Sequence, residues 1–384
     1  MSNQERREAR YQRRQAKRKQ KKEKFLNSIP SYKEVFTFEH LWISFWLCRK
    51  EVGWKPSIQM YQQNLTIELV KLLNELHSDA GFHSRGFIEF NICERGKMRH
   101  IKSVDIKERV VQRCFCDYYL IPLLTRNLIY DNGASLKNKG VDFSLRRLEK
   151  HLSNYYKKYK TAEGFILIYD FSDYFGSINH KKLYSVVDIL IRDNKCKELY
   201  HRLVDAFGDI GLGLGSQVSQ ISAIVFPNQM DHLIANELTA DSSARYMDDG
   251  YIIFHNINDA KNFIQKLLKI TSALDIKLNP KKIKICKLNK TFTYLKKRFY
   301  LTNTGVVIIR LNYKNIFKHR RRIKKLLKMI VNKKIILYDV IISHSSWLGQ
   351  NKKYKNRKSV YNIDNQIRRL FNERQRSNSN LSSY

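Results

Sequence analysis

Apolar residues recur with helical spacing along much of the chain. Within residues 33–80, leucines fall at i, i+4, i+7, i+8 and i+11, which places them on one face of a helix. These leucines are Leu65, Leu69, Leu72, Leu73 and Leu76. Residues 1–25 are polar and basic, and we expect a helix or a flexible arm there. Further helices are predicted over 107–124, 141–158, 180–206, 216–238, 258–274 and 314–331.

Shorter apolar runs predict strands. Residues 165–169 read Phe-Ile-Leu-Ile-Tyr, a continuous run that is typical of a buried strand. Residues 245–254 read as strand, tight turn, strand, and the glycines between 211 and 215 mark a loop. Strands are also predicted at 86–92 and 99–104 around Gly96, and as two short strands within 292–310 around Asn303-Thr304-Gly305. The pattern predicts an α+β fold.

The composition adds a strong positive charge to this picture. The chain has 384 residues, with 72 Lys and Arg against 35 Asp and Glu, a net charge of +37. Such a charge predicts a polyanionic partner, either nucleic acid or an anionic membrane surface. No stretch approaches the ~18 apolar residues of a membrane span. No apolar segment follows the basic N-terminus, so a secretion signal is not expected, and we predict a cytoplasmic protein.

The charge is concentrated at the two ends. Residues 1–25 have a net charge of +8 and residues 311–384 one of +16. By contrast, residues 161–180 and 203–244 contain no Lys or Arg but several acidic residues. Six cysteines are scattered, and only Cys114 and Cys116 are close, which is too few for a four-ligand zinc site. The cation-free segments therefore predict an interior region with a different role.

Two segments bring candidate chemistry. Asp170 ends the buried strand, and Asp248 and Asp249 lie in the predicted hairpin turn. If the two strands lie side by side, the carboxylates meet at one end, and such oxygen ligands suit Mg²⁺. Two ions ~3.5–4 Å apart can activate a 3′-hydroxyl and stabilise leaving pyrophosphate. Ordinary turn chemistry is the alternative for an isolated Asp-Asp pair.

Several segments in order resemble the motifs of reverse transcriptases. Residues 246–249, Tyr-Met-Asp-Asp, resemble the YxDD box, and 170–178 resemble the first palm motif. Residues 211–220 resemble the Gly-rich palm loop with its Ser-Gln. The remaining matches are 278–282 (L-N-x-x-K), 292–295 (primer grip), and 97–99 and 108–112 (fingers). The resemblance covers roughly residues 90–300.

The resemblance implies a right-hand polymerase fold with fingers, a palm whose antiparallel sheet packs on helices, and a small helical thumb. The implied division is a basic N-terminal arm at 1–30, fingers and N-terminal helices at 31–160, palm at 161–310, and helical thumb with basic tail at 311–384. It also implies an RNA-directed DNA polymerase whose partners are an RNA template, a DNA product and dNTPs.

The resemblance implies roles for individual residues. Asp170, Asp248, Asp249 and the backbone oxygen of Phe171 would hold Mg²⁺, with Mn²⁺ as a substitute. Phe175 would be the steric gate that favours deoxynucleotides, or else a core aromatic. The other implied nucleotide-binding residues are Lys97, Arg99, Leu214, Gly215 and Lys282. The implied primer- and template-binding residues are Tyr246, Met247, Tyr294, Leu295, Arg321 and Lys325.

Some of these residues have a purely structural alternative, and some positions differ from the family motifs. Lys97 and Arg99 could lie on a solvated basic hairpin, and the basic helix at 314–331 could present a solvated charged face. Where reverse transcriptases usually have Pro in the Gly-rich loop, this chain has Gly213. At the next position, where they often have Gln, it has Leu214. The Gly of the primer-grip turn is Lys296.

The resemblance is to compact bacterial or phage-borne enzymes, and nothing resembles an RNase H, integrase or nuclease domain. We favour a role in antiphage defence with an associated noncoding RNA. The basic arm could bind structured RNA or be a disordered tail. A diversity-generating retroelement enzyme that makes mutagenic cDNA is the first alternative. A template-independent DNA polymerase and a non-catalytic RNA-binding protein on a polymerase fold are the others.

Overall fold

The computed structural model describes residues 3–94, 97–332, 334–351, 360–369 and 372, and these residues form an α+β fold. The helical N-terminal region agrees with the predicted periodicity. Leu65, Leu69, Leu72 and Leu76 are buried on one helical face, whereas the first helix buries none of its residues. The helices are α1 (Asn3–Asn27), α2 (Tyr32–Val35), α3 (Phe38–Arg49), α4 (Pro56–Gln63) and α5 (Leu65–His77).

An antiparallel hairpin follows, formed by β1 (Ile88–Glu94) and β2 (Lys97–Ser103). The predicted turn residue Gly96 lies outside the described residues. Helix α6 (Ile106–Phe115) begins at Asp105, whose carboxylate accepts a hydrogen bond from the Glu108 N–H. A π-helical turn (Cys116–Leu120), α7 (Ile121–Leu124) and α8 (Val141–Tyr159) complete this region.

The central antiparallel sheet consists of β3 (Phe165–Asp170), β4 (Ala240–Tyr246), β5 (Asp249–Phe254) and β6 (Lys284–Lys287). Its strands pair in the order β4-β5-β3-β6. Its core strand alternates between two apolar clusters, since Leu167 and Tyr169 pack on one side and Ile166 on the other. Covering on both faces explains why this strand reads as a continuous apolar run.

Two of the predicted helices are each divided in two. The helix expected over 180–206 breaks because Asp193 caps a new helix, accepting a hydrogen bond from Cys196 N–H. The helix expected over 216–238 breaks at Pro227, which has no N–H to donate. The helices around the sheet are α9 (Tyr174–Ser177), α10 (His180–Val187), α11 (Asn194–Asp205), α12 (Gln217–Val225), α13 (Asn228–Ala235) and α14 (Ile257–Ala273).

The C-terminal region begins with a small sheet of three strands, whereas the sequence pattern predicts two. β7 (Phe292–Tyr294), β8 (Lys297–Leu301) and β9 (Val307–Leu311) pair in sequence order. The predicted turn at Asn303-Thr304-Gly305 joins the last two, with φ +80° at Gly305.

Helices then close the described chain. These are α15 (Tyr313–Val331), α16 (Leu337–Asn351) and helical residues 360–369, which bury a small apolar cluster between them. A chain of side-chain contacts also joins the three. His319 Nε2 lies 3.0 Å from His344 Nδ1, and His344 Nε2 lies 3.0 Å from Asp364 Oδ1. Among the described residues, no helix is both long and apolar enough to cross a membrane.

Candidate active site

Strand pairing brings the three predicted aspartates to one end of the central sheet. Asp170, the last residue of β3, is the register partner of Asp249, the first residue of β5. The Phe171 N–H donates a hydrogen bond to the Asp248 carbonyl oxygen at 3.1 Å. The carboxylates and the Phe171 backbone therefore belong to one cluster, and Asp170 is only 3% exposed.

The electrostatics of this cluster are unfavourable to a third negative charge. Burial, followed by the charges of Asp248 and Asp170, raises the pKa of Asp249 to about 7. A cation lies against the pair: Lys282 Nζ is 2.5 Å from Asp170 Oδ2. Burial lowers the pKa of Lys282. The hydrogen bond to Asp170 and the charges of the neighbouring carboxylates together outweigh burial, so the pKa of Lys282 is raised.

The donor chemistry fits a divalent cation. With the side chains as they stand, no three His, Cys, Asp or Glu groups of the described chain enclose a metal position. Three carboxylates nevertheless share one end of a sheet, and their mutual repulsion is the kind that Mg²⁺ neutralises. The backbone pairing fixes where these carboxylates lie, while side-chain rotations set the distances between their oxygens.

The L-N-x-x-K segment is fixed to the same strand end. The Asn279 N–H donates to the Asp170 carbonyl oxygen at 2.8 Å, and the Ser172 N–H donates to the Lys277 carbonyl oxygen at 2.7 Å. These bonds hold the segment beside the first aspartate and bring the Lys282 ammonium to its carboxylate. The contact of its ammonium with Asp170 therefore distinguishes Lys282 from the neighbouring lysines.

The Gly-rich loop pairs with the segment that carries the predicted steric gate. The Leu212 N–H donates to the Phe175 carbonyl oxygen at 2.7 Å, and the Gly211 N–H donates to the Ile178 carbonyl oxygen at 2.8 Å. Gly211 has φ +93°, and a Cβ there would lie 3.1 Å from the Gly176 carbonyl oxygen. The Phe175 side chain is half-buried against the apolar cluster that contains Leu167 and Tyr169. Gate and loop therefore form one unit.

The structure gives a steric reason for Gly213. A Cβ at this position would overlap the ring of Phe207, which follows α11 and stacks on Phe87 with ring centroids 4.6 Å apart. A proline or any other side chain at 213 would displace this ring. The departure at 213 and the aromatic residue at 207 are therefore linked by packing.

The hairpin β1–β2 lies beside this loop. A Cβ built on Gly215 would lie 3.6 Å from the Lys102 carbonyl oxygen in β2. Arg99 is half-buried on the same strand, and Leu214 is half-buried in the loop. The Lys97 backbone belongs to β2, while its side chain lies outside the described residues. Arg99, Leu214 and Gly215 thus belong to adjoining segments.

The predicted primer- and template-binding residues differ in how exposed their side chains are. Tyr294 is 2% exposed and packs edge-on against Tyr251, so any direct primer contact from this turn falls to Leu295 and the exposed Lys296. Arg321 and Lys325 are exposed one helical turn apart on α15. Tyr246 and Met247 are half-buried beside Asp248.

Sequence reasoning missed a buried ion pair next to the turn. Arg245 and Asp231 are 1% and 2% exposed, and their side chains make two hydrogen bonds of 2.8 and 2.7 Å. Arg245 is the first cation after the cation-free segment 203–244, which was the available signal. That signal does not identify the partner, because Asp231 is one of several acids in the segment.

Comparison with known families agrees with this site. A family model described as reverse transcriptase (RNA-dependent DNA polymerase) matches residues 94–297, more than half of the chain. The chain belongs to the reverse transcriptase family. The matched residues contain the three aspartates, Lys282 and the Gly-rich loop. The domain that carries the site is therefore that of RNA-directed DNA polymerases, with a right-hand polymerase fold.

Solved structures of telomerase are similar at low identity. Apo telomerase from Candida tropicalis, truncated from its C-terminal domain, is 14% identical with a TM-score of 0.46, over 59% of this chain and 55% of that chain. Telomerase from Candida albicans, in complex with a fragment of telomeric RNA, is 11% identical with a TM-score of 0.45, over 65% of this chain and 50% of that chain. This reverse transcriptase chain thus spans about half the length of these relatives. No curated protein matches it.

Proposed function

We propose that this chain is an RNA-directed DNA polymerase that adds deoxynucleotides to a primer 3′-hydroxyl. The observation that carries the proposal is the pairing of Asp170 with Asp249, with Asp248 bonded to the Phe171 backbone, inside a reverse transcriptase domain. This pairing gathers oxygen ligands that would hold the divalent cations on which nucleotidyl transfer depends.

Asp170, Asp248, Asp249 and the Phe171 carbonyl oxygen would hold Mg²⁺, with Mn²⁺ as a substitute. Bound there, divalent ions would activate the 3′-hydroxyl and stabilise the developing charge on the leaving pyrophosphate. Lys282 lies at the first aspartate and is suited to donate a proton to that leaving group. Its ammonium has to leave Asp170 to do so, and its 55% exposed side chain allows this movement.

The nucleotide would lie between the hairpin and the Gly-rich loop. Lys97 and Arg99 would bind the triphosphate, since a guanidinium matches phosphate geometry. Phe175 would fill the space of a 2′-hydroxyl, beside Leu214 and Gly215 near the base. Primer contacts would come from Tyr246, Met247, the turn supported by Tyr294, and Leu295; duplex contacts would come from Arg321 and Lys325.

The proposed division assigns 1–30 to a basic arm, 31–160 to fingers and N-terminal helices, 161–310 to the palm, and 311–384 to the thumb and tail. Helix α1 supports a structured RNA partner, since none of its residues is buried and its basic side chains are available to phosphates. We further propose a cytoplasmic role in antiphage defence with a noncoding RNA. Mutagenic cDNA synthesis for diversification is the alternative, and a variable-repeat target gene beside the coding sequence would favour it.

Primer extension on defined RNA and DNA templates tests the catalytic proposal. We expect Mg²⁺-dependent extension with dNTPs, and loss of at least about 1,000-fold in rate for the double variant Asp248→Ala, Asp249→Ala because its metal ligands are removed. Asp79→Ala, an exposed carboxylate outside the site, is the matched control and should extend normally. Full product from the double variant would refute the catalytic assignment. Extension without any template would favour a template-independent polymerase.

A further inference from the structure

The backbone of the aspartate turn is held by a side chain from outside the turn. Met247, immediately before Asp248, has φ +54°, in the left-handed region that non-glycine residues seldom occupy. Its carbonyl oxygen accepts a hydrogen bond of 2.8 Å from Arg245 Nη1. A strained residue of this kind persists only where its surroundings fix it. The hydrogen bond from Arg245 is such a constraint.

The guanidinium is itself immobilised. Asp231 on α13 binds it through two hydrogen bonds, and the Ile224 carbonyl oxygen on α12 accepts a third, at 2.8 Å. With 1% of Arg245 exposed, water does not compete for these contacts. The Met247 carbonyl is therefore bonded to a donor that two helices hold in place.

The Arg245 backbone is fixed as well. Its N–H donates to the Asp131 carbonyl oxygen at 3.2 Å, and its carbonyl oxygen accepts from the Gly133 N–H at 2.9 Å. A Cβ at Gly133 would overlap the Ser144 hydroxyl, so any other residue there requires that side chain to move. Segment 131–133, whose role the sequence motifs left open, thus anchors β4 one residue before the Tyr-Met-Asp-Asp turn.

We propose that Arg245, held by Asp231, is a positioning residue that sets the backbone of the turn carrying Asp248 and Asp249, and so the affinity of the site for divalent cations. The inference rests on the proposed function and deepens it. Arg245 touches no reacting atom in this scheme. It acts through the Met247 carbonyl oxygen, so removing it should alter metal binding at the turn more than folding.

The test uses the double variant Arg245→Met, Asp231→Leu. Replacing both members of a buried ion pair with apolar residues of similar size tends to preserve stability, whereas removing one leaves an uncompensated charge. The matched control, Tyr200→Phe with Ser222→Ala, deletes another buried polar pair, joined by a 2.7 Å hydrogen bond, that makes no hydrogen bond to the turn. Arg245→Lys, which keeps the charge, is the second variant.

Two readouts are needed on the full chain: Mn²⁺ binding by electron paramagnetic resonance, and primer extension over a Mg²⁺ titration, with melting temperature measured in parallel. In the double variant we expect weaker Mn²⁺ binding and a Mg²⁺ midpoint for primer extension that is raised about tenfold. The extension rate should fall by up to about 100-fold, because a small misplacement of catalytic groups costs about this much in other active sites. The control pair should leave both unchanged. Arg245→Lys should fall between the double variant and the wild type.

The outcomes separate the two proposals. Unaltered Mn²⁺ binding and an unaltered Mg²⁺ midpoint in a folded double variant would overturn the positioning role even in an active polymerase. Equal losses in the control pair would also overturn it, because they would reflect general destabilisation. A wild type that binds Mn²⁺ without extending primers would refute the polymerase proposal, while the binding comparison would still decide the role of Arg245. Absence of Mn²⁺ binding by the wild type would overturn both.

Discussion

At the scale of single residues, Asp249 is half-buried beside two other carboxylates, and this placement costs stability when no metal ion is bound. Its folded-state pKa of about 7 lies above the ordinary value of 3.8. Ionising it is therefore harder in the folded than in the unfolded chain. The resulting destabilisation is absent below about pH 4, grows as the pH rises from about 4 to about 7, and is complete above about pH 7.

Asp249→Asn should consequently stabilise the metal-free protein. In EDTA at pH 8 we expect a gain of roughly 1–2 kcal/mol in unfolding free energy, which fades as pH falls from 7 to 4. Denaturant unfolding across that pH range measures it. Asp79→Asn, an exposed carboxylate outside the cluster, should show no such trend. A gain independent of pH would contradict the electrostatic explanation.

Leu214 raises a different question, about base selection. An apolar side chain here removes a hydrogen-bonding group that the family often places beside the incoming base pair. Leu214→Gln is expected to change the misincorporation spectrum severalfold at some template bases, since one hydrogen bond contributes about 1 kcal/mol. Sequencing of cDNA copied from a defined template measures this. An unchanged spectrum would show that position 214 does not contribute to selection.

At the scale of elements, the sequence predicted what depends on local periodicity and missed what depends on tertiary contact. The strand ending at Asp170 was recognisable because both its faces are covered. Its pairing with Asp249 joins two distant segments, so the sequence supports it only as a condition that the two strands lie side by side. The contact between Arg245 and Asp231 joins a strand to a separate helix, and no local pattern encodes it. The breaks at Asp193 and Pro227 were readable as cap and breaker signals but lay within apolar periodicity that outweighed them.

The packing of the Gly-rich loop against the end of α11 leads to an element-scale prediction. Gly213→Ala should lower stability by about 1–3 kcal/mol, because the added Cβ overlaps the Phe207 ring. Phe207→Leu should lower it too, because the ring no longer stacks on Phe87. Combined, the two changes should cost less than their sum by about 0.5 kcal/mol or more.

A double-mutant cycle from thermal or denaturant unfolding measures this coupling. Gly215→Ala is the matched control in the same loop. It has φ +113°, but a Cβ there would meet nothing closer than 3.6 Å. Its cost should therefore come from the backbone conformation alone and add to that of Phe207→Leu. Strict additivity at Gly213 would show that the loop shifts to avoid the ring.

At the scale of the whole molecule, much of the net charge of +37 lies towards the two ends of the chain. The aspartates lie in a domain whose central segments lack cations, while α1 presents basic residues on a helix that buries none of its residues. α15 presents others beside the small apolar cluster of the C-terminal helices. This division predicts that RNA affinity and catalysis can be altered separately.

Replacing five basic residues of α1 by Gln should weaken binding to structured RNA and flatten its salt dependence. The slope of log K against log salt should fall by about 0.7–0.9 for each phosphate that the helix no longer neutralises, while extension of a short primer-template at saturation stays unchanged. Binding titrations at several salt concentrations measure the slope. The five residues are Arg6, Arg10, Arg13, Lys17 and Lys24.

Five exposed lysines elsewhere provide a control of equal charge. An equal fall in slope for this control would mean that α1 contributes only its share of net charge, and would contradict a dedicated RNA-binding role. The control lysines are Lys181, Lys195, Lys261, Lys269 and Lys290.

The overlap between position 213 and the ring at position 207 also constrains how this lineage can have changed. A proline at 213 would overlap the aromatic ring at 207 unless one of them shifts, so the two positions should covary among relatives. The order of substitution matters as well. An ancestor with proline would gain Phe207 at least cost after 213 became glycine, and a return to proline would cost least once 207 is small. Relatives that combine a proline at the first position with an aromatic residue at the second should therefore be rare and carry a compensating shift of the loop.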